Sequence, residues 1–177
     1  MSQGSPGASL TLEALNRLPD EAARTELERC CGARRWIAGM LAQRPFPDRA
    51  TLLEAARDVW RGLGPEDWRE AFTHHPRIGD IEGLRKRFAT TAAWASAEQA
   101  GASSASEEVL RSLAEGNRRY EERFGHIFIV CATGKSAAEM NALLYERLGN
   151  DPETELRIAA GEQAKITQLR LEKLLSS

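Results

Sequence analysis

Residues 106–125 read SEEVLRSLAEGNRRYEERFG, and they contain the clearest helical pattern in the chain. Four apolar residues, spaced by four or seven positions, fall on one helix face: Val109, Leu113, Tyr120 and Phe124. Ser106 favours a helix start, with Glu108 in the first turn, and Gly125 favours a helix end. The stretch therefore predicts a long amphipathic helix that runs from Ser106 to Gly125.

Two further helices are predicted downstream of a short apolar run. The run Phe128-Ile129-Val130-Cys131-Ala132 is compatible with a lone strand, an extended buried segment or the start of a turn. Thr133-Gly134-Lys135-Ser136 then favours the start of a helix that continues through Leu148. Asn150-Asp151-Pro152-Glu153 predicts the start of the last helix, with Asp as its N-cap and Pro at its first position.

Helical patterns also fill most of the chain upstream of this region. After the loop at residues 44–48, apolar residues recur at steps of three and four: Leu52, Ala55, Ala56, Val59, Trp60 and Leu63. Between Gly79 and Ser104 the periodicity is poor, and we expect an ordered loop with short helices. Residues 1–8 are rich in Ser, Gly and Pro and predict a flexible tail. With one β-compatible run, residues 9–177 are expected to form an all-α, single-domain helical bundle.

Composition and charge argue against several classes of partner. The chain has 177 residues and a net charge of -2, without a dense basic run, so we expect no nucleic-acid partner. The longest apolar run, Ile127 to Ala132, is too short to span a bilayer, and residues 1–9 lack a secretory pattern. We therefore expect a cytoplasmic protein with no membrane partner. The cysteines, which lack zinc-ligand spacing, are expected to be reduced, buried thiols: Cys30, Cys31 and Cys131.

The candidate catalytic residue lies in the stretch His74-His75-Pro76-Arg77-Ile78-Gly79-Asp80. Pro76 fixes its own φ and disfavours helical backbone at His75, so the imidazole of His75 is held at a helix end. An ordinary histidine pKa of about 6.5 suits proton transfer at neutral pH. The structural alternative is a histidine that only closes the preceding helix, where a cation is favourable.

Polar residues interrupt the apolar face of the last helix. A projection at about 100° per residue places Gln163 and Arg170 within a face of six apolar residues: Leu156, Ala159, Ala160, Ile166, Leu171 and Leu174. An unpaired buried guanidinium is costly, so Arg170 is expected to meet a protein carboxylate or an anionic ligand. The structural alternative is an internal salt bridge at the edge of the bundle.

Two shorter stretches also contain polar groups of interest. Glu98-Gln99 lies among small residues and offers a carboxylate and an amide to a polar ligand, or is a solvent-facing pair on a loop. Gly134-Lys135-Ser136 is similar to the end of a phosphate-binding loop, but the glycine that this loop requires five residues before Gly134 is absent, and Ile129 stands there. We therefore predict no nucleotide site, only a helix N-terminus that can hold an oxygen atom.

Taken together, these blocks resemble the 2-oxo-4-hydroxy-4-carboxy-5-ureidoimidazoline (OHCU) decarboxylases of urate degradation. The resemblance covers Leu10 to Leu175 and rests on six ordered blocks: Arg44-Pro45-Phe46, Ala71-Phe72 with His75-Pro76-Arg77-Ile78-Gly79, Glu98-Gln99, Phe124-Gly125 with Phe128 to Ser136, Arg147-Leu148 with Asn150, and Lys165-Ile166 with Arg170-Leu171. It implies an all-α homodimer that uses no metal or organic cofactor and converts OHCU to (S)-allantoin and CO2.

The resemblance also implies the site residue by residue. His75 matches the catalytic histidine of the family, and Glu98 matches its acidic residue. Eight further positions match substrate-binding residues: Pro76, Gln99, Phe128, Ile129, Val130, Cys131, Ala132 and Arg170. Ala95 stands where many members have serine, with Ser96 as a candidate replacement, and His126 is interpreted as structural.

Two other classes of function stay open at this point. A structural or partner-binding helical protein would show the same core pattern without requiring its polar residues to converge. A different cofactor-free lyase or hydrolase that acts on a related ureide is the closer alternative. The final residues, Leu174-Leu175-Ser176-Ser177, lack a Ser-Lys-Leu peroxisomal address, which favours the cytoplasmic expectation.

Overall fold

The computed structural model describes residues 9–76, 82–85 and 100–175, with side chains from residue 107 onward in the last range. Eight helices of six residues or more occur in these ranges: α1 (Leu12–Arg17), α2 (Asp20–Glu28), α3 (Arg34–Gln43), α4 (Arg49–Arg61), α5 (Pro65–Thr73), α6 (Ala100–Phe124), α7 (Ala137–Arg147) and α8 (Pro152–Leu174). Residues 82–85 form one further helical turn, and no strand occurs in the described ranges. The predicted all-α class is therefore confirmed.

Side-chain caps begin four of these helices where the sequence placed turn-forming residues. Each cap accepts a hydrogen bond from a backbone N–H three residues later, at 2.7 to 3.1 Å: Thr11, Asp48, Ser136 and Asp151. Such caps satisfy N–H groups that have no partner within the helix. The predicted starts of α7 and α8 are confirmed by their Ser136 and Asp151 caps.

The start of α6 differs from its prediction, whereas its end does not. The helix begins at Ala100 rather than Ser106, and the alanines in this stretch are strong helix formers. The sequence did not predict this extension, because residues 100–105 are all small and show no apolar helix face. Gly125 adopts a φ of +76°, a conformation that glycine allows without strain, and its N–H donates to the Glu121 carbonyl at 2.8 Å.

Backbone contacts divide the chain into two compact units. The first unit contains the described residues 9–74 and 160–175 and includes α1 to α5 with the C-terminal part of α8. Arg44 binds α1 within it, because its Nη1 donates to the Leu15 and Leu18 carbonyls at 2.8 Å each. The indole N–H of Trp60 on α4 donates to the Ala160 carbonyl at 3.0 Å, which joins α4 to α8.

The second unit contains the described residues 75–76, 82–85 and 100–159 and is organised around α6 and α7. Its core contains seven buried residues: Leu84, Leu110, Leu113, Tyr120, Val130, Met140 and Leu144. Gly116 allows α7 to approach α6, because a Cβ at this position would lie 2.5 Å from Cδ2 of Leu144. None of the helices in the described ranges is both long enough and apolar enough to cross a membrane.

The apolar run between α6 and α7 is neither a strand nor a helix. Residues 127–132 have no regular secondary structure. Of the three possibilities left open by the sequence, the lone strand is not found in this run. Ile129, Val130 and Cys131 are buried, and a turn follows, in which the Lys135 N–H donates to the Ala132 carbonyl at 3.0 Å. We call residues 128–132 the buried segment.

Candidate active site

The His75 corner follows directly from the end of α5. His74 is the C-cap of this helix, with φ −84° and ψ −5°, and its N–H donates to the Ala71 carbonyl at 3.2 Å. His75 comes next and is half-buried, whereas Pro76 is exposed. The predicted position of His75 at a helix end is therefore confirmed.

Gly32 lies next to His74, and both residues belong to the first unit. A Cβ on Gly32 would lie 2.1 Å from Cγ of His74, so the imidazole of His74 occupies the space that a side chain would need. Gly32 is itself buried. His74 is exposed, and its ring lies against the backbone of Gly32.

Two cationic side chains bind carbonyl groups of the buried segment. Nη1 of Arg147 donates to the Ile129 carbonyl at 2.7 Å, and Nζ of Lys135 donates to the Cys131 carbonyl at 2.8 Å. The guanidinium of Arg147 also lies over the ring of Phe128, with Cζ 4.6 Å from the ring centroid. Side chains outside the segment therefore hold its backbone at two carbonyls.

Arg147 belongs to a buried polar network with Glu155. Nε of Arg147 donates to Oε1 of Glu155 at 2.7 Å, and Nη2 lies 2.5 Å from the same oxygen. The hydroxyl of Tyr120 donates to Oε1 at 2.5 Å, and the amide of Asn150 donates to Oε2 at 2.9 Å. Glu155 is 0% exposed and Arg147 is 6% exposed. Such a carboxylate is tolerated because a cation and two donors surround it.

The phenol of Tyr120 is strongly affected by this environment. Burial raises the pKa of Tyr120 well above its ordinary value, and the hydrogen bond to Glu155 raises it further. The ring also makes an edge contact with His126 at a centroid distance of 5.5 Å, in keeping with a structural role for that histidine. Tyr120 therefore acts as a neutral hydrogen-bond donor within the second unit.

Arg170 lies on α8 in the first unit, where it neighbours two adjacent thiols. It is half-buried, and its Nη1 is 3.5 Å from the Cys30 carbonyl. Burial raises the pKa of Cys30 to about 12 and that of Cys31 to about 11, while the Arg170 guanidinium opposes both shifts. All three cysteines are buried and none forms a disulfide, as expected from the sequence.

The remaining predicted positions fall outside this description or in separate units. Glu98 and Gln99, together with Ala95 and Ser96, lie outside the described residues. His75 and the buried segment belong to the second unit, whereas Arg170 belongs to the first. Convergence of these side chains on one cavity therefore stays a prediction.

The partnership of Arg147 and Glu155 was not predicted from the sequence. In helical projection Glu155 lies about 20° from Ile166, at the edge of the apolar face of α8, and this position was a usable signal. A carboxylate beside an apolar face requires a cationic partner when it is buried. Arg147, eight residues upstream, supplies that cation from the last residue of α7.

Known proteins match this chain over nearly its whole length. A model of the OHCU decarboxylase family matches residues 16–172. The chain is 38% identical over 159 residues to the uric acid degradation bifunctional protein TTL of Arabidopsis thaliana, which covers 88% of this chain and 48% of that protein. It thus spans about half the length of that relative. An OHCU decarboxylase of Haloferax volcanii is 28% identical over 169 residues, covering 95% of this chain and 98% of that protein.

Two solved structures share the fold. A crystal structure of an OHCU decarboxylase in the presence of (S)-allantoin superposes with a TM-score of 0.69 at 38% identity, covering 90% of this chain and 100% of that one. A crystal structure of (S)-allantoin synthase superposes with a TM-score of 0.63 at 18% identity, covering 92% of this chain and 53% of that one. The second likeness concerns the fold alone.

Proposed function

Because this chain belongs to the OHCU decarboxylase family, we propose that it converts OHCU to (S)-allantoin and CO2 in urate degradation. The observation that carries this proposal is the match to a solved OHCU decarboxylase, which the chain covers completely at 38% identity. That structure was obtained in the presence of (S)-allantoin, the product expected from the proposed reaction.

The chemistry suits a site built from ordinary side chains. When the bond to the carboxylate breaks, its electron pair enters the neighbouring ring carbonyl or imine, which forms an enolate-like system as CO2 leaves. The ring therefore acts as the electron acceptor, a task that thiamine or pyridoxal performs in other decarboxylations. A proton must then reach one face of the ring, and this step decides the handedness of the allantoin.

His75 is proposed as the acid/base residue that moves these protons. It follows the C-cap of α5 and precedes Pro76, which restricts the backbone from which the imidazole extends. Glu98 is proposed to orient the hydroxyl group of the substrate. A proton donor fixed on one side of the ring would explain formation of a single enantiomer.

The other matched residues are proposed to bind the substrate. Arg170 would recognise its oxygens, and the backbone of the buried segment, Phe128, Ile129, Val130, Cys131 and Ala132, would meet the ureidoimidazoline. Pro76 and Gln99 would complete the contacts. The half-burial of Arg170 supports such a role, because a guanidinium at that depth interacts more strongly with anions than one in bulk water. The protein is further proposed to act as a homodimer without a cofactor.

The direct test is an optical assay with freshly generated OHCU. Circular dichroism should show optically active allantoin forming much faster than the spontaneous reaction, which gives a racemate. Chelator-treated protein should retain this activity. If the purified protein does not accelerate the reaction or gives racemic allantoin, a lyase or hydrolase of a related ureide becomes the better assignment.

A further inference from the structure

The contribution of the buried ion pair Arg147–Glu155 to protein stability does not by itself explain why the pair is present. Taking two charges out of water costs free energy that their attraction repays only in favourable geometry, so apolar replacements of such pairs are often equally stable. Here Glu155 is 0% exposed and makes contacts with three other side chains. We therefore looked for a function of this ion pair other than stabilisation of the core.

The reason lies in Nη1 of Arg147, which does not contact Glu155. Nε donates to Oε1 of Glu155 at 2.7 Å, and Nη2 lies 2.5 Å from the same oxygen without a hydrogen bond of its own, so the ion pair is held along one edge of the guanidinium. Nη1 is thereby directed to the Ile129 carbonyl, at 2.7 Å. Because guanidinium is planar and rigid, a position fixed on one edge determines the position of the donor on the other.

The same guanidinium also fixes the side chain at the start of the buried segment. Cζ lies 4.6 Å from the ring centroid of Phe128, within the range of a cation–π contact. Phe128 in turn makes an edge contact with Tyr120 at 5.3 Å between centroids, and Tyr120 donates to Glu155. One closed set of contacts therefore holds both the backbone and a ring of the segment.

We propose that Arg147, oriented by Glu155, is a positioning residue that holds residues 128–132 in the conformation that binds the ureidoimidazoline. This inference rests on the proposed function. It assigns the network to substrate binding, since Arg147 contacts both the backbone and the Phe128 ring of the segment. Loss of the network should therefore weaken binding while the pH dependence of the chemical step is retained.

The test removes both charges together. Arg147→Met/Glu155→Gln keeps the side-chain volumes and leaves an amide oxygen for the hydroxyl of Tyr120, so no buried charge is left without a partner. The matched control, Arg157→Met/Glu153→Gln, removes an exposed ion pair from α8, the helix that contains Glu155, and both of its side chains are more than 70% exposed. Both variants are compared with the wild type by steady-state kinetics on OHCU and by calorimetric titration with (S)-allantoin.

We expect KM for OHCU and Kd for (S)-allantoin to rise about tenfold or more in the buried-pair variant, as for loss of a charge-assisted hydrogen bond. The kcat value should fall less, and its pH profile should match that of the wild type. The control should behave as the wild type in every measurement. A merely structural role would reduce the fraction of active protein, which lowers apparent kcat and leaves KM unchanged.

A folded buried-pair variant whose KM and Kd stay within twofold of the wild-type values would overturn the inference, while the proposed function would stand. If that variant does not fold, Arg147→Lys replaces it, because a single ammonium can remain opposite Glu155 but cannot supply the second, rigidly directed donor to Ile129. For Arg147→Lys too, a rise in KM supports the inference and an unchanged KM contradicts it. A wild-type protein inactive on OHCU would instead overturn the proposed function, and this inference with it.

Discussion

At the scale of single residues, His75 is the side chain on which the proposed chemistry depends most. His75→Ala should lower kcat by about 10²- to 10⁴-fold, the usual contribution of a positioned acid/base group. The far-ultraviolet circular dichroism spectrum should match that of the wild type. The control is His74→Gln, one position earlier, which should retain kcat within a few-fold. Wild-type turnover by His75→Ala would remove this residue from the mechanism.

A second prediction at this scale concerns the effect of Gly32→Ala on stability, since the ring of His74 lies against Gly32. Gly32→Ala should destabilise the protein by about 1–3 kcal/mol, the range for overpacking, since its Cβ would lie 2.1 Å from Cγ of His74. In a His74→Ala background the same substitution should cost much less, because the clashing ring is gone. Urea unfolding of the four proteins of this double-mutant cycle measures the difference. Equal costs in both backgrounds would show that the ring does not restrict position 32.

Local sequence was informative for residues whose constraints are local. Pro76 restricts its neighbour directly, so the position of His75 at the end of a helix followed from two adjacent letters. Arg170 was noticed because it interrupts an apolar face. For Glu155 the sequence shows only a position at the edge of an apolar face, because its partners Arg147 and Tyr120 lie on other helices.

At the scale of helices, one substitution should have opposite effects at two glycines. Gly161→Ala on α8 should stabilise the protein by about 0.5–1 kcal/mol through helix propensity, because nothing lies within 4 Å of the added Cβ. Gly116→Ala on α6 should destabilise it, because the Cβ would lie 2.5 Å from Cδ2 of the buried Leu144. Urea unfolding compares the two. Stabilisation by both substitutions would contradict the close approach of α6 and α7.

The N-cap of α8 should contribute to the pH dependence of stability. Hydrogen bonds from the hydroxyl and the N–H of Thr154 lower the pKa of Asp151 below its ordinary value of 3.8. Stabilisation by a carboxylate with a lowered pKa is present above the ordinary value and is lost as pH falls through the lowered one. Asp151→Asn keeps an acceptor at the cap but does not titrate.

The melting temperature of the wild type should therefore fall relative to Asp151→Asn as pH decreases below about 4. All other titrating groups are common to both proteins, so the difference between their melting curves isolates Asp151. A difference that stays constant from pH 6 to pH 2.5 would show that the cap does not depend on ionisation.

Helix ends were predictable where a cap or a glycine marks them, as at Asp151 and Gly125. The start of α6 was not, because residues 100–105 are small and lack a distinctive face. The conformation of the buried segment was not predictable either. Its β-compatible residues have no strand partner in the described ranges, and its carbonyls are bound by Arg147 and Lys135, which follow it in the chain.

At the scale of the whole molecule, the all-α class followed from periodicity that repeats along most of the chain. The division into two compact units did not, because it depends on which helices contact one another. Helix α8 contributes to both, with Leu156 and Ala159 buried in the second unit and Gln163 and Leu171 buried in the first. Because one continuous helix has buried residues in each unit, we expect the two units to unfold together.

The cysteines offer a test of this expectation, since they report on different units. Cys30 and Cys31 are 2% and 1% exposed in the first unit, and Cys131 is 8% exposed in the second. The thiolate is the reactive form, and burial raises the pKa of Cys30 to about 12 and of Cys31 to about 11. Native protein should therefore react slowly with a thiol reagent at pH 8, and urea should accelerate the reaction.

Two variants separate the reporters: Cys131→Ala leaves the thiols of the first unit, and Cys30→Ala/Cys31→Ala leaves that of the second. After correction for the stability of each variant, measured by circular dichroism, labelling in both should begin at the same position relative to the unfolding midpoint. We expect this result if α8 couples the units, because neither unit can unfold without unfolding the residues of α8 that belong to it. Labelling of one unit at urea concentrations where the other stays protected would show that they open independently.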